Sequence, residues 1–144
     1  MIQQLKLDNK NIENIIELHK KSIFEIWDKV NRKYSIEGIK KFIITVFEKG
    51  EVYGYFDKEM LSGVIGIEPK QKEIEISFLL VDPQFQRKGI GKKLMDFVEY
   101  KSKNIDKICL EVLIKNKAVN FYKKIGYEII KEKNDKYVME KKLK

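Results

Sequence analysis

The sequence predicts a mixed α/β fold in which about six or seven strands form one mostly antiparallel sheet flanked by about four helices. Three observations predict it. Residues 51–81 read as three consecutive strands joined by short polar turns, the pattern of an antiparallel meander. Residues 73–113 read as strand, helix and strand, a crossover that lays its two strands parallel and makes the sheet mixed. The 144 residues, 43% hydrophobic and 36% charged, run without a Gly, Ser or Pro linker, so residues 1–144 are expected to form one domain with a real core.

Residues 1–7 alternate loosely and suit an edge strand. Residues 8–11 then offer caps for a helix whose apolar positions Ile12, Ile15, Ile16, Ile23, Ile26, Trp27 and Val30 fall near the helical period. His19, the single histidine, lies on that stripe, where a hydrogen-bonded helix residue and a catalytic base are both conceivable. Phe24, Trp27 and Tyr34 cluster before Ser35, which caps a second helix through Ile39, Phe42, Ile43, Val46 and Phe47. Gly50 closes that helix. Strands follow at 51–56, 60–67 and 73–81, turned around residues 57–59 and 69–72. A helix from Gly89 to about Lys103, a strand at 107–113 and a short helix at 118–125 come next. Residues 127–131 and 137–141 form a last hairpin turned at Asn134 and Asp135.

The most informative stretch joins the third of those strands to its helix. Phe78, Leu79, Leu80 and Val81 read as a buried strand that Asp82 and Pro83 bring to a stop. Ile90, Leu94, Phe97 and Val98 then recur at helical spacing. Residues 86–91 would form the first turn, whose backbone N–H groups have no helical acceptor. Gly89 and Gly91 lack a Cβ, so a diphosphate can approach the main chain, and Arg87, Lys88, Lys92 and Lys93 add charge. A Gln or Arg followed at fixed offsets by two glycines recurs by chance about once in two thousand positions, with Gly at roughly 7% of residues. Two other phosphate loops do not fit, because a dinucleotide fingerprint wants a small residue at Leu94 and a P-loop wants Ser or Thr at Lys93.

Those residues carry a resemblance. Val81, Asp82 and Pro83, followed by Gln86, Arg87, Lys88, Gly89, Ile90 and Gly91, resemble the acetyl-CoA pyrophosphate loop of the GNAT superfamily of N-acetyltransferases. A second match lies downstream, where Leu110, Glu111, Val112, Asn116 and residues 118–127 resemble its closing strand and helix. The resemblance covers roughly residues 50–130 by motif and the first 50 by element order. It implies a GNAT fold, acetyl-CoA as cofactor and transfer of the acetyl group to a primary amine in a ternary complex. A non-catalytic acyl-CoA-binding sensor or partner domain is the alternative.

Composition agrees with that class. The net charge of +8, from 30 Lys and Arg against 22 Asp and Glu, suits an anionic ligand. The lysines are scattered through every segment, without a basic stripe or Cys/His spacing, which argues against specific nucleic-acid binding. No apolar run reaches a membrane span and no leader pattern opens the chain, so neither membrane nor export is expected. Cys109 is single and sits among strand residues, where a packed thiol is the simpler reading. A cytoplasmic location is the expectation, and oligomeric state is left open.

Acetyl transfer from a thioester to an amine needs no metal, because the thiol is already a fair leaving group. It does need a neutral amine, and an amine of pKa about 10.4 is over about 99% protonated at pH 7. Strict alternation along residues 73–81 would put Glu73, Glu75, Ser77, Leu79 and Val81 on one face and Ile74, Ile76, Phe78 and Leu80 on the other. By resemblance, Glu75 is the expected base, with Glu73, Glu111 or no dedicated base as rivals. The backbone of Leu79, Leu80 and Val81 is expected to cradle the thioester and pantetheine, in a gap where the two parallel strands splay. Tyr122 matches the tyrosine that serves such enzymes as general acid to the leaving thiolate. Asn116 is the matching ligand to the pantetheine arm, but it stands six residues before Tyr122 where the family pattern has seven, so a simple cap of the following helix is the other reading. The segment joining the first two helices is expected to form the acceptor site, so Trp27 and Tyr34 are candidate substrate-binding residues. Glu25 and Asp28 lie near enough to meet a cationic acceptor.

Overall fold

The computed structural model describes residues 1–29, 33 and 35–143, without the side chains of residues 24, 25 and 29. Strand β1 (Ile2–Gln4) precedes helices α1 (Asn9–Ser22), α2 (Phe24–Lys29) and α3 (Ile36–Lys49), then strands β2 (Glu51–Asp57), β3 (Met60–Lys70) and β4 (Glu73–Val81). A 3₁₀ turn (Pro83–Phe85) leads to α4 (Ile90–Lys101), β5 (Lys107–Leu113), α5 (Ala118–Lys124), β6 (Glu128–Lys133) and β7 (Lys136–Lys142). The seven strands make one sheet of order β1-β2-β3-β4-β5-β7-β6. Only β4 and β5 pair in parallel, as the crossover through α4 requires.

Local chemistry sets the element ends. The Asp8 carboxylate accepts from the Asn11 N–H at 2.8 Å and caps α1, while Ser35 accepts from the Gly38 N–H at 3.2 Å and caps α3. The hairpins turn at Lys58, Gln71 and Asn134, each in the left-handed region with φ of 59°, 48° and 58°. At Gly50 an added Cβ would lie 1.8 Å from the Ile67 carbonyl oxygen, so the α3-to-β2 junction has no space for a side chain.

Several boundaries differ from the sequence prediction, and three of the differences have a clear local cause. The helix expected over 12–30 breaks at Ile23, which raises the number of α-helices among the described residues to five. At the break, the Ser22 hydroxyl donates to the carbonyls of Leu18 at 2.6 Å and of Val81 at 3.1 Å, and so ties the end of α1 to the end of β4. Pro69, expected in a turn, lies inside β3, opposite Ile74. It is tolerated because β2 starts at Glu51 opposite Ile67, so no neighbour on that side asks for the missing N–H. The third helix of the prediction ends at Lys101 rather than Lys103, where the Lys101 ammonium is held by Glu51 at 2.9 Å and by the Tyr53 hydroxyl.

The sheet separates two apolar cores. On one face Ile65, Ile67, Ile74, Ile76, Ile108 and Leu110 pack with Ile90, Leu94, Met95 and Val98 of α4. On the other, Val52, Val64, Phe78 and Leu80 pack with Ile12, Ile15 and Ile16 of α1 and Ile39, Ile43 and Val46 of α3. Ile74 and Ile76 thus face α4 whereas Phe78 and Leu80 face α1 and α3. This corrects the strict alternation expected of residues 73–81. The cause is a β-bulge, since Gly66 pairs with Phe78 but Ile67 pairs with Ile76, leaving Ser77 as the extra residue. Past Ser77 the faces exchange, and Leu79 and Val81 join Ile74 and Ile76 on the α4 side.

Candidate active site

The bulge ends the parallel pairing. Its register runs from Glu73 with Lys107 to Ile76 with Leu110 and stops one residue before Ser77. Beyond that point the β5-facing edge of β4 has no strand partner, so its outward backbone groups at residues 77–80 are open to a ligand, whereas the Val81 carbonyl already accepts from Ser22 and Gln86. A cavity of about 450 Å³ opens there, walled by Leu79, Leu80, Leu110, Val112 and Leu113 on the sheet side. Asn116 and Tyr122 border it from the α5 side. Its far end is formed by α1, α2 and α3 through His19, Ile23, Trp27, Ile39 and Phe42.

At the foot of α4 the chain builds a second feature. Asp82, only 5% exposed, accepts from the Gln84 N–H at 3.0 Å and meets Lys21 at 3.2 Å, which fixes the turn after β4. Gln86 donates its amide to the Val81 carbonyl at 3.4 Å. Arg87 and Gly89 then take left-handed φ values of 69° and 78°, a combination that turns a run of main-chain donors into a concave surface. The first α4 bond is the Lys93 N–H to the Gly89 carbonyl at 2.9 Å, and the N–H groups of residues 87–92 have no acceptor among the described residues. A Cβ on Gly89 would meet nothing within 4 Å, so the main chain is open there. At Gly91 it would lie 3.4 Å from the Phe121 ring, which shows α5 seated against the same turn.

Charge around the turn is uneven. Lys92 is engaged by Asp96 at 2.7 Å, and Lys93 reaches the Tyr55 hydroxyl at 3.4 Å. Lys88 lies over the Phe85 ring, 5.2 Å from its centre, and Arg87 pairs with no carboxylate among the described residues. Free donors, open space and three cations without carboxylate partners among the described residues, Arg87, Lys88 and Lys93, fit a diphosphate.

The predicted site residues fall into three groups. Leu79, Leu80, Asn116 and Tyr122 border the cavity, Val81 ends the open strand edge, and Gln86, Arg87, Lys88, Gly89, Ile90, Gly91 and Lys92 form the turn. Trp27 lies at the far end of the cavity, whereas Tyr34 lies outside the described residues. Glu75 does not line the cavity, and its carboxylate sits 2.6 Å from the Lys70 ammonium. Glu73 accepts from the Cys109 thiol at 3.5 Å, and burial with that carboxylate pushes the thiol up to about 11. Glu111 is the one carboxylate among the described lining residues, with Lys133 at 3.4 Å and Lys136 at 3.7 Å.

Tyr122 is buried, its ring 5.2 Å from that of Phe121 and 5.8 Å from that of Tyr127. Burial pushes its phenol well above the ordinary tyrosine value, and its hydroxyl makes no hydrogen bond among the described residues. Asn116 uses its side-chain oxygen to accept from the Ala118 N–H at 2.9 Å at the start of α5, which leaves its NH₂ group without a partner among the described residues. Phe42, Phe78, Ile39 and Lys136 also line the cavity, and sequence reasoning did not select them. Gly66 was the available signal for the bulge, since a Gly inside a strand marks a bulge or a close approach. A Cβ there would lie 2.5 Å from the Phe78 ring.

Comparison with known proteins gives consistent results. Residues 25–138 match the family model described as an acetyltransferase (GNAT) domain. The chain is 35% identical over 107 residues to the probable N-acetyltransferase san of Drosophila melanogaster, covering 67% of this chain and 58% of that protein. It is 34% identical over 106 residues to N-alpha-acetyltransferase 50 of Danio rerio, covering 67% and 63%. The chain therefore spans about three fifths of the length of these curated relatives. PaiA N-acetyltransferase from Thermoplasma acidophilum, solved in complex with coenzyme A, superposes with a TM-score of 0.81 at 25% identity, covering 99% of both chains. A GNAT-family acetyltransferase from Staphylococcus aureus Mu50 superposes with a TM-score of 0.76 at 23% identity, covering all of both chains, and shares the fold.

Proposed function

The chain belongs to the GNAT acetyltransferase family, and from that membership we propose that it transfers the acetyl group of acetyl-CoA to a primary amine by direct attack in a ternary complex. One observation carries the proposal. The N–H groups of residues 87–92 lie free over open space at Gly89, next to a cavity that begins where β4 and β5 part. Relatives named as N-acetyltransferases, and a neighbour solved with coenzyme A, support the same reading.

Bound at this turn, acetyl-CoA supplies an acetyl group already activated as a thioester. The residues of the chain provide the rest. Arg87, Lys88 and the main chain of residues 87–92 hold the diphosphate, with Gln86, Ile90 and Lys92 shaping the turn around it. The open edge of β4 at Leu79, Leu80 and Val81 orients the pantetheine and presents an N–H toward the thioester oxygen. Asn116 offers its free NH₂ group to the same arm. Glu111 serves as base for the amine, because it is the one acidic residue of the described cavity lining, to which Glu75 does not belong. Tyr122 donates its phenolic proton toward the departing sulfur. Trp27 contributes to the acceptor end.

The 144 residues are read as one acetyltransferase domain. A reducing, cytoplasmic setting is supported by the unpaired Cys109. Among the described residues no helix is long and apolar enough to cross a membrane.

The test is direct. Acetyl-CoA is titrated into the purified protein in a calorimeter, and thiol release is then followed with a panel of primary amines. Binding with amine-dependent thiol release is the expected result. Binding without release identifies a non-catalytic acyl-CoA sensor, and absence of binding refutes the whole reading.

A further inference from the structure

Ser77 is the residue that β4 adds at the bulge. It is half-buried and lines the cavity one position past the last parallel pair, Ile76 with Leu110. Its hydroxyl reaches across to β3 and donates to the Glu68 carboxylate at 3.0 Å. With its hydrogen committed to Glu68, the oxygen can only accept from a group that enters the cavity. Glu68 differs from the carboxylates around it. Glu75 pairs with Lys70, Glu73 accepts from the Cys109 thiol, and Glu111 faces Lys133 and Lys136. Glu68 has no cation within ion-pair distance among the described residues, and the Ser77 hydroxyl is its hydrogen-bond partner. A half-buried carboxylate paired with a hydroxyl alone is free to take up a proton through it.

The stoichiometry of acetyl transfer calls for such a group. An ammonium acceptor carries three N–H protons and the amide product carries one, so the nitrogen sheds two. The first leaves before attack, and Glu111 takes it. After attack the nitrogen is cationic again and holds two protons, while Glu111 still carries the first and Tyr122 acts as a donor.

Resting on the acetyltransferase reading above, we propose that Ser77 and Glu68 carry away the second proton. An N–H bond of the tetrahedral adduct breaks as its proton bonds to Ser77 Oγ, and the Ser77 O–H bond breaks as that proton bonds to Glu68 Oε2. The nitrogen keeps its electron pair and becomes neutral. Ser77 ends as it began, and Glu68 ends as the neutral acid that returns its proton to water. The site of the step agrees with the rest of the assignment, because Ser77 lies just before Leu79, Leu80 and Val81, the stretch of β4 given to the acyl carrier.

The experiment separates a proton path from a mere brace for the bulge. Thiol release is followed with benzylamine, spermidine and glycinamide, and the fastest of the three is kept. Glu68→Gln retains a carbonyl oxygen for the Ser77 hydroxyl but takes up no proton. Its kcat should fall about a hundredfold while the acetyl-CoA dissociation constant and the melting temperature stay at wild-type values. Ser77→Ala should lose about as much, and Ser77→Thr should restore most of it. The double variant should lose no more than either single one, because the two groups act in series. A kcat within about threefold of wild type in Glu68→Gln, a loss confined to acetyl-CoA affinity or stability, or losses that multiply in the double variant would overturn the proposal. In those cases the wild-type thiol release leaves the enzyme reading standing. If none of the three amines releases thiol from the wild type, both fall.

Discussion

Replacing Tyr122 by Phe removes one hydroxyl and leaves the packing in place. The ring contacts to Phe121 and Tyr127, at 5.2 Å and 5.8 Å, are ones that phenylalanine also makes, and the lost hydroxyl has no partner among the described residues. The melting temperature and acetyl-CoA affinity should therefore stay as they are. The effect on turnover follows from the acidity of the phenol. Burial raises its pKa above 10.0, while a thiol ionises near about 8.5, so complete proton transfer to the thiolate runs uphill. What the phenol supplies instead is a hydrogen bond to a developing charge, worth about 1.5–3 kcal/mol. Through transition-state arithmetic that range is roughly a 10- to 150-fold loss in kcat. The assay is thiol release at saturating acetyl-CoA, repeated from pH 6 to pH 9. The ratio of wild type to variant should be constant over that interval, because the raised phenol does not titrate in it. An unchanged kcat would remove Tyr122 from the reaction. A loss seen only in acetyl-CoA affinity would make it a binding residue, and a ratio that collapses toward pH 9 would show a different, titrating acid.

Three further outcomes are expected. Gly89→Val should weaken acetyl-CoA at least about tenfold and lower stability by about 1–2 kcal/mol, because φ is 78° there and a branched side chain is strained in that region; an unchanged dissociation constant would separate the diphosphate from this turn. Glu111→Gln should lower kcat about a hundredfold with little change in acetyl-CoA affinity, whereas Glu75→Gln should change it less than about threefold; the reverse ranking in steady-state kinetics would return the base role to Glu75. His19 is lowered from 6.5 to about 4, so the unfolded chain takes up this proton first as the pH falls. Its neutral ring contributes full stability above pH 6.5, lost progressively down to about pH 4, by about 3 kcal/mol. Urea unfolding at pH 7 and pH 4 should show His19→Phe losing less stability than wild type by about that amount, and equal losses would refute the linkage.

Much of the fold could be read from local signals. The strands, the turns at Lys58, Gln71 and Asn134, and the crossover through α4 all announce themselves by period and by polar residues at turns. The turn at residues 86–91 was legible for the same reason, since two glycines after a stopped strand constrain the main chain directly. The break at Ile23 was not, because it depends on the Ser22 hydroxyl reaching the Val81 carbonyl, 59 residues away. Nor was the position of Glu75. Alternation assigns a side chain to a face only while the register holds, and the register fails at Ser77.

That failure also explains why the cavity exists where it does. With an unbroken β4, Phe78 would face α4 along with Ile74 and Ile76, and the parallel ladder with β5 would have no reason to stop at Ile76. The bulge turns Phe78 toward α1 and α3 and puts its ring into the space that Gly66 leaves, where a Cβ would come within 2.5 Å. The same ring then stands 6.1 Å from that of His19. One extra residue thus does two things: it frees the edge of β4 proposed to orient the acyl carrier, and it supplies an aromatic wall to the cavity opposite. The two substrates would accordingly meet at Ser77 and Phe78, where neither strand pairing nor helix packing alone would have made space for them.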